Sequence, residues 1–342
     1  MIVGNYQKAE KQYSKLLNRL KVKLGESDPE TFDAMNGLAA ALNNQGKHSD
    51  AEILLKQCLD KMIKLFGYYH PPTLHTMNNL ANAYSHQGKY REAEVLQKIC
   101  LDNWKIVLGE DDPDTLGTMH NLADIYDGQG RYSEAETLYK QCLAQRKVVL
   151  GVDHPHTIDT MNNLAAIYDR QGRYREAEVL HKQCLGMMKT VLGESHPSSL
   201  RTMHNLAIAY DRQGQHSEAQ ALFKQCLDKR KVVLGENHPS TLHSLHNLAV
   251  TYEHQGKYSD AEVLQKQCLA KRTLVLGESH SDTHETMENL AATYSLQGKY
   301  RESEVLYKQC LDKKKLVLGE TNPETLRIMR RLEKVRQKLG KS

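Results

Sequence analysis

Glycine recurs in this chain every 42 residues, and no insertion breaks the count. One series runs Gly25, Gly67, Gly109, Gly151, Gly193, Gly235, Gly277 and Gly319. A second, mostly preceded by Gln, runs Gly4, Gly46, Gly88, Gly130, Gly172, Gly214, Gly256 and Gly298. The cysteines keep the same step: Cys58, Cys100, Cys142, Cys184, Cys226, Cys268 and Cys310. A period this strict means that every unit meets its neighbours through the same contacts. That predicts a one-dimensional stack, in place of the two or three globular domains that 342 residues would otherwise suggest.

Within one unit the apolar pattern is that of two helices. Asp112 followed by Pro113 reads as an N-cap with proline at the first helical position, where a missing N–H costs nothing. Leu116, Met119, Leu122, Ala123 and Tyr126 then recur at spacings of three and four, a stripe of helical period. Gln129-Gly130 ends this first helix, with glycine free to take a left-handed conformation. A second helix opens near Tyr132 and carries Ala135, Leu138, Cys142, Leu143, Val149 and Leu150 to Gly151. Two such helices cannot bury their stripes alone, so stacked neighbours supply the missing core. The expected fold is all-α, a solenoid of antiparallel helix pairs. Residues 1–28 read as an N-terminal half repeat holding a second helix only, 29–319 as seven 42-residue repeats, and 320–342 as a capping helix.

The cap is predicted from charge. Leu326, Met329, Leu332, Val335 and Leu339 keep an apolar stripe, but Glu333 replaces the Ala of other units and Arg336 the usual Tyr. The same helix carries Arg327, Arg330, Arg331, Lys334, Lys338 and Lys341, read as a solvated face. At the other end the sequence opens in the middle of a hairpin, which leads us to expect a truncated sequence, a fragmentary gene reading or a lost preceding repeat.

The residues Leu122-Ala123, Tyr126, Gly130, Tyr132, Ala135, Tyr139 and Cys142 resemble the tetratricopeptide signature, with Cys in place of the small residue of the second helix. The eight residues beyond that family's usual 34 amount to about one extra turn per helix. The linker, of the form LGE-x-H/D-P-x-T-L-x-T-M-x-NLA-x-x-Y, resembles the repeats of kinesin light chains and nephrocystin-like proteins. This resemblance implies a right-handed superhelix whose first helices line a concave groove. Kinesin light chains carry a heptad coiled coil ahead of their repeats that binds the motor heavy chain. No heptads precede Gly4 here, so motor heavy chain binding does not follow from this sequence.

Composition narrows the functional classes. The 46 basic and 42 acidic residues give a net charge of +4, a mixed surface with no general argument for nucleic acid. No run approaches the roughly 18 apolar residues a membrane helix needs, and no signal-peptide pattern opens the chain, so the expectation is a cytoplasmic protein without membrane insertion. Seven cysteines, none close to another, are unlike a disulfide framework or the paired ligands of a zinc site, and they read as small buried hydrophobes. His70, His154, His196, His238 and His280 stand where Asp28, Asp112 and Asn322 stand in other units, as a capping position tolerates. No H-E-x-x-H, phosphate-cradling glycine loop or G-x-S-x-G occurs, and nearly every polar residue has copies one period away. The chain reads as non-enzymatic, with no cofactor and no metal.

Function is therefore sought on the first helices. Just before the recurring Leu-Ala pair stand Asn79, Asn121, Asn163, Asn205, Asn247 and Asn289, with Gly37 and Arg331 at the ends of the ladder. In peptide-binding members of the resembled family this amide holds the backbone of an extended peptide, and it both donates and accepts. One residue earlier come Asn78, His120, Asn162, His204 and His246. Toward the helix end Asp127, Asp169, Asp211 and Glu253 recur, followed by Arg170, Arg212 and His254, while Arg201, His75 and His243 add further contacts. The expectation is a groove of mixed charge, centred on residues 113–276, for an extended segment of a protein partner or cargo adaptor. Histidines exposed on it would make binding change between about pH 6 and 7. The alternative is the repeat sensor portion of a larger signalling protein whose effector domain lies outside this chain.

Overall fold

The computed structural model describes residues 2–340, without the side chains of residues 2–5, 317 and 318; Met1 and Lys341 lie outside the described residues. Sixteen helices and no strand are found among them. They run α1 (Ile2–Lys23), α2 (Pro29–Asn43), α3 (His48–Phe66), α4 (Pro71–His86), α5 (Tyr90–Val107), α6 (Pro113–Gly128), α7 (Tyr132–Val149) and α8 (Pro155–Arg170). The series continues with α9 (Tyr174–Val191), α10 (Pro197–Arg212), α11 (His216–Leu234), α12 (Pro239–His254), α13 (Tyr258–Leu276), α14 (Ser281–Leu296), α15 (Tyr300–Leu318) and α16 (Pro323–Leu339). The chain divides into two compact units, residues 1–180 and 181–342. In the first, α1 to α8 pack each on the next; in the second, α10 to α16 do the same, and first helices of successive repeats also touch.

Helix ends are set by the punctuation in the sequence. The Asp112 carboxylate accepts the N–H of Asp114 at 2.8 Å, capping α6 ahead of Pro113. At four of the five caps where His replaces Asp the ring does the same work, as where Nδ1 of His238 accepts the N–H of Ser240 at 3.1 Å; His70 makes no such bond. At the other end of α6 the Gly130 N–H bonds to Asp127 O and the Arg131 N–H to Tyr126 O, both at 2.9 Å, a Schellman closure that needs the φ of +75° at Gly130. Gly235, ending α11 at φ 95° and ψ 159°, lies in a region open essentially to glycine alone.

The core of the first unit includes Leu55, Leu74, Met77, Leu80, Cys100 and Trp104, and that of the second Leu206, Phe223, Cys226, Leu245 and Leu248, all buried. All seven cysteines are buried thiols. Sγ of Cys142 donates to Leu116 O at 3.3 Å, and Sγ of Cys226 to Leu200 O at 3.2 Å. Burial pushes the thiols of Cys58, Cys100 and Cys310 up to about 12. On α16 the stripe is shifted from the sequence reading. Leu332 and Val335 are buried as expected, but Leu326 is exposed and Ile328 is buried in its stead. In other repeats the residue at the position of Leu326, such as Leu242, bonds through its carbonyl to the thiol of the following second helix; on α16 no such helix covers it among the described residues.

Neighbouring repeats are also clasped by charge. Glu94 accepts from Lys98 on its own helix at 2.6 Å, and from Gln129 and Arg131 of the next repeat, both at 2.8 Å. The Tyr126 ring lies between Lys98 and Arg131, with centroid distances of 5.6 and 4.1 Å, a cation–π sandwich. Burial pushes the Glu94 carboxyl up, but the hydrogen bonds from Lys98, Gln129 and Arg131 outweigh it and hold the group at about 2. Glu52, Glu136 and Glu262 repeat the clasp and are likewise held at about 2.

Candidate functional site

The asparagine ladder is half-buried on the first helices, and its amides reach one repeat back. Asn79 Nδ2 donates to Asn36 Oδ1 at 3.2 Å, and Asn121 Nδ2 to Asn78 Oδ1 at 3.1 Å. Asn163, Asn247 and Asn289 donate instead to Nε2 of His120, His204 and His246, at 3.3, 3.1 and 3.2 Å. Asn163 also donates to Asp124 Oδ1 at 3.1 Å. Asn205 is half-buried on α10. The start of the ladder lacks Asn for a steric reason: a Cβ on Gly37 would lie 2.4 Å from Cε1 of Tyr13.

An imidazole that accepts at Nε2 carries its proton on Nδ1, and each of these rings finds a hydroxyl there. His120 Nδ1 meets Thr160 Oγ1 at 3.2 Å, His204 meets Ser244 Oγ at 3.2 Å, and His246 meets Thr286 Oγ1 at 3.4 Å. The same hydroxyls accept from a buried guanidinium. Arg146 Nη1 reaches Thr160 at 2.7 Å, Arg230 Nη1 reaches Ser244 at 2.8 Å, and Arg272 Nη1 reaches Thr286 at 2.8 Å. Each arginine stands 26 residues after its histidine in the sequence. Where the first-helix residue is Asn36, Asn78 or Asn162, that second-helix position holds Met62, Trp104 or Met188; where it is Glu288, it holds Lys314. The alternation between His and Asn is thus matched to what fills the adjacent core, a pairing the sequence reading missed although the offset was there to be seen.

Burial changes the expectation of a pH-sensitive groove at two of these positions. Desolvation drives His246 down to about 3 and His204 well below its ordinary range, so both stay neutral through pH 6–7. Asn162, at 1% exposed, is also buried, while His120 is half-buried.

What remains open to solvent on the first helices varies from repeat to repeat. In the first unit it includes His75, Asp124 and Arg170, the last ion-paired to Asp127. In the second it includes Arg201, Arg212, His243, His254 and Glu285. Also in the second unit, a cavity of about 740 Å³ is lined by His243, Glu285, Glu288, Lys314 and Arg327. Its floor is Glu288, 3% exposed, which takes Lys314 at 2.9 Å and Arg327 at 3.0 Å. Among the described residues no helix is long and apolar enough to cross a membrane.

Comparison with known proteins agrees with this architecture. Tetratricopeptide repeat models match residues 1–64, 45–98, 72–148, 129–190 and 245–315, and a second such model matches 199–240. The nearly identical repeats of a putative kinesin light chain from Podosopora anserina are 30% identical, with a TM-score of 0.51 over 60% of this chain and 97% of that one. BtubC (BKLC) from P. vanneervenii is 20% identical, with a TM-score of 0.53 over 69% of this chain and 92% of that one. The apo quorum sensor NprR from B. thuringiensis, 19% identical, shares the fold with a TM-score of 0.69 over 90% of this chain and 83% of that one. No curated protein matches. The fold these comparisons share is generally a non-enzymatic interaction scaffold. With sixteen helices among the described residues, a 42-residue period and repeat models along most of its length, the chain belongs to the tetratricopeptide repeat family.

Proposed function

We propose that this chain is a protein–protein interaction scaffold whose first-helix faces hold an extended segment of a partner, most simply a cargo or adaptor peptide. The carrying observation is the contrast between the repeated apolar packing and the non-repeating face of the first helices: His75, Gly117, Asp159, Arg201, His243 and Glu285 stand at equivalent positions on successive first helices, and the charge and size of the side chain change at every step. Packing does not select among them, so recognition is the remaining source of that variety. The amides of Asn79, Asn121, Asn163, Asn205, Asn247 and Asn289 would meet the partner's backbone. Five of these are already oriented by a bond to the previous repeat, which lowers the ordering cost of binding. His120, Asn162, His204 and His246 then act behind the ladder, orienting it, while Arg170, Arg201 and Arg212 supply charge at the rim. The likeness to kinesin light chain repeats favours a cargo segment as occupant. In this reading residues 29–319 are seven repeats between a half repeat at 1–28 and a cap at 320–342.

The test begins with extended peptides selected from a displayed random library against the full chain. Asn247→Ala combined with Asn289→Ala should weaken the selected peptides by at least about tenfold, and Arg201→Glu should change which sequences are selected. Both variants should keep the native circular dichroism and Tm. Peptides that bind equally well to both variants would remove the first-helix face from recognition.

A further inference from the structure

At the boundary between α10–α11 and the following helix α12, three side chains converge. Asp211 ends α10, His216 opens α11 and His254 closes α12. His216 Nδ1 lies 2.9 Å from Asp211 Oδ1, and His254 Nδ1 lies 2.8 Å from Asp211 Oδ2. The two imidazole rings are 5.3 Å apart, and one donor atom from each of the three residues falls within 4.8 Å of the other two. The Asp211 side chain is 10% exposed, while those of His216 and His254 are 30% and 40% exposed.

The periodic chain supplies its own controls for this triad. Positions equivalent to His216 and His254 are in contact across other repeat boundaries too. The Tyr90 ring covers Gly128 so closely that a Cβ there would lie 2.4 Å from Cε1, and the His48 and His86 rings stack at 5.0 Å. Along the sequence this pair reads His48/His86, Tyr90/Gly128, Tyr132/Arg170, Tyr174/Arg212, His216/His254 and Tyr258/Leu296. Histidine occupies both places or neither. The acid does not require it, since Arg170 alone pairs with Asp127 at the equivalent boundary in the first unit. Two histidines are also needless for filling space, since a Tyr ring with Gly does that. Paired imidazoles beside a carboxylate add one capability that neither alternative has: three potential metal-ligand atoms within 4.8 Å of one another.

We propose that Asp211, His216 and His254 form a binding site for a divalent transition-metal ion, zinc foremost. Two imidazole nitrogens and one carboxylate oxygen are the donor set of open zinc sites, with ligand distances of about 2.0–2.2 Å and a fourth position left to water or an incoming group. Nitrogen donors select zinc, cobalt, nickel or copper over magnesium and calcium. Binding displaces the protons that now bridge the carboxylate to the rings, so both histidines coordinate as neutral bases. The equivalent pair His48/His86 faces Asn43, whose amide oxygen carries no charge, and that boundary does not form a site. The ion would tie α10 and α11 to α12 at a boundary where Gln220 stands in place of the clasping Glu and receives Lys257 only at 3.5 Å.

The test is titration of the full chain with zinc chloride by calorimetry, and with cobalt chloride by visible absorption. One ion per chain in the micromolar range is expected, with a cobalt ligand-field band and a Tm raised by zinc. His254→Arg and His216→Tyr, which install the residues of the Tyr132/Arg170 boundary and so keep a side chain this fold accommodates, should each weaken binding by at least about tenfold. His86→Gly should leave it unchanged. Absence of stoichiometric binding, or binding that survives His254→Arg, would overturn the proposal.

Discussion

Arg230 makes the sharpest energetic test of how these repeats are held together. Its side chain is 4% exposed and donates to Ser240 O at 2.6 Å, Ser244 Oγ at 2.8 Å and Leu200 O at 3.2 Å, with no carboxylate paired to it among the described residues. Desolvation lowers its pKa, the mark of a charge held at a cost. Removing it forfeits three hydrogen bonds worth about 1–3 kcal/mol each when one partner is charged, but also removes a burial penalty of several kcal/mol. The acceptors are not orphaned: Ser240 O still receives Ser244 Oγ at 3.4 Å, and that hydroxyl still meets His204. Methionine already fills the equivalent position as Met62 and Met188, at 1% and 0% exposed. Arg230→Met should therefore stay within ~1 kcal/mol of the parent, or exceed it. Arg230→Ala should lose ~2–4 kcal/mol, because it leaves a cavity where methionine leaves none. Urea unfolding combined with hydrogen exchange at the amides of α10–α12 is the measurement, since a repeat array need not unfold as one transition. If the Met variant falls as far as the Ala variant, the guanidinium bonds hold the boundary and volume does not.

Two further outcomes follow from the clasps and the thiols. The folded pKa of Glu52, Glu94, Glu136 and Glu262 lies at about 2, below the unfolded value of about 4.3. Their stabilisation is therefore complete above the unfolded pKa and is lost as pH falls toward 2. Tm measured from pH 5 to 2 should fall steadily; Glu94→Gln should cost ~1–2 kcal/mol at neutral pH and flatten that fall, and an unchanged slope would exclude the clasp as its source. The cysteines, all buried and six of them with pKa values raised by that burial, should resist a thiol-specific disulfide reagent in the folded chain and react on unfolding. Fast labelling at neutral pH would show that the repeats open far more readily than their packing implies.

The helices were legible because their punctuation is local. Asp112-Pro113 caps and starts α6 and Gly130 closes it; later units keep the glycine and put His or Asn at the cap, with proline following in all but α14, which begins at Ser281. The site was legible only in part, since sequence spacing ranks residues by face without saying what lies behind the face. His204 and His246 sit at groove positions by count, yet Arg230 and Arg272 behind them turn both rings into links of an internal chain. The triad of Asp211, His216 and His254 escaped for the opposite reason. Metal motifs are sought at short spacing, and here the third ligand comes from the next repeat.

The clasp also gives the array a grain. A stack of identical links would fray only from its ends, because each interior repeat is held equally on both sides. Here the acid of the clasp is Glu at 52, 94, 136, 178, 262 and 304, but Gln at 220. With that one carboxylate withdrawn, the boundary after α11 loses the ion pairs of the clasp and keeps only the long Lys257–Gln220 bond in their place, which makes it an internal seam, a place where opening begins far from either terminus. A chain that reads as monotonous in sequence would then part along a defined line, and whatever fastens that line governs how the second unit opens.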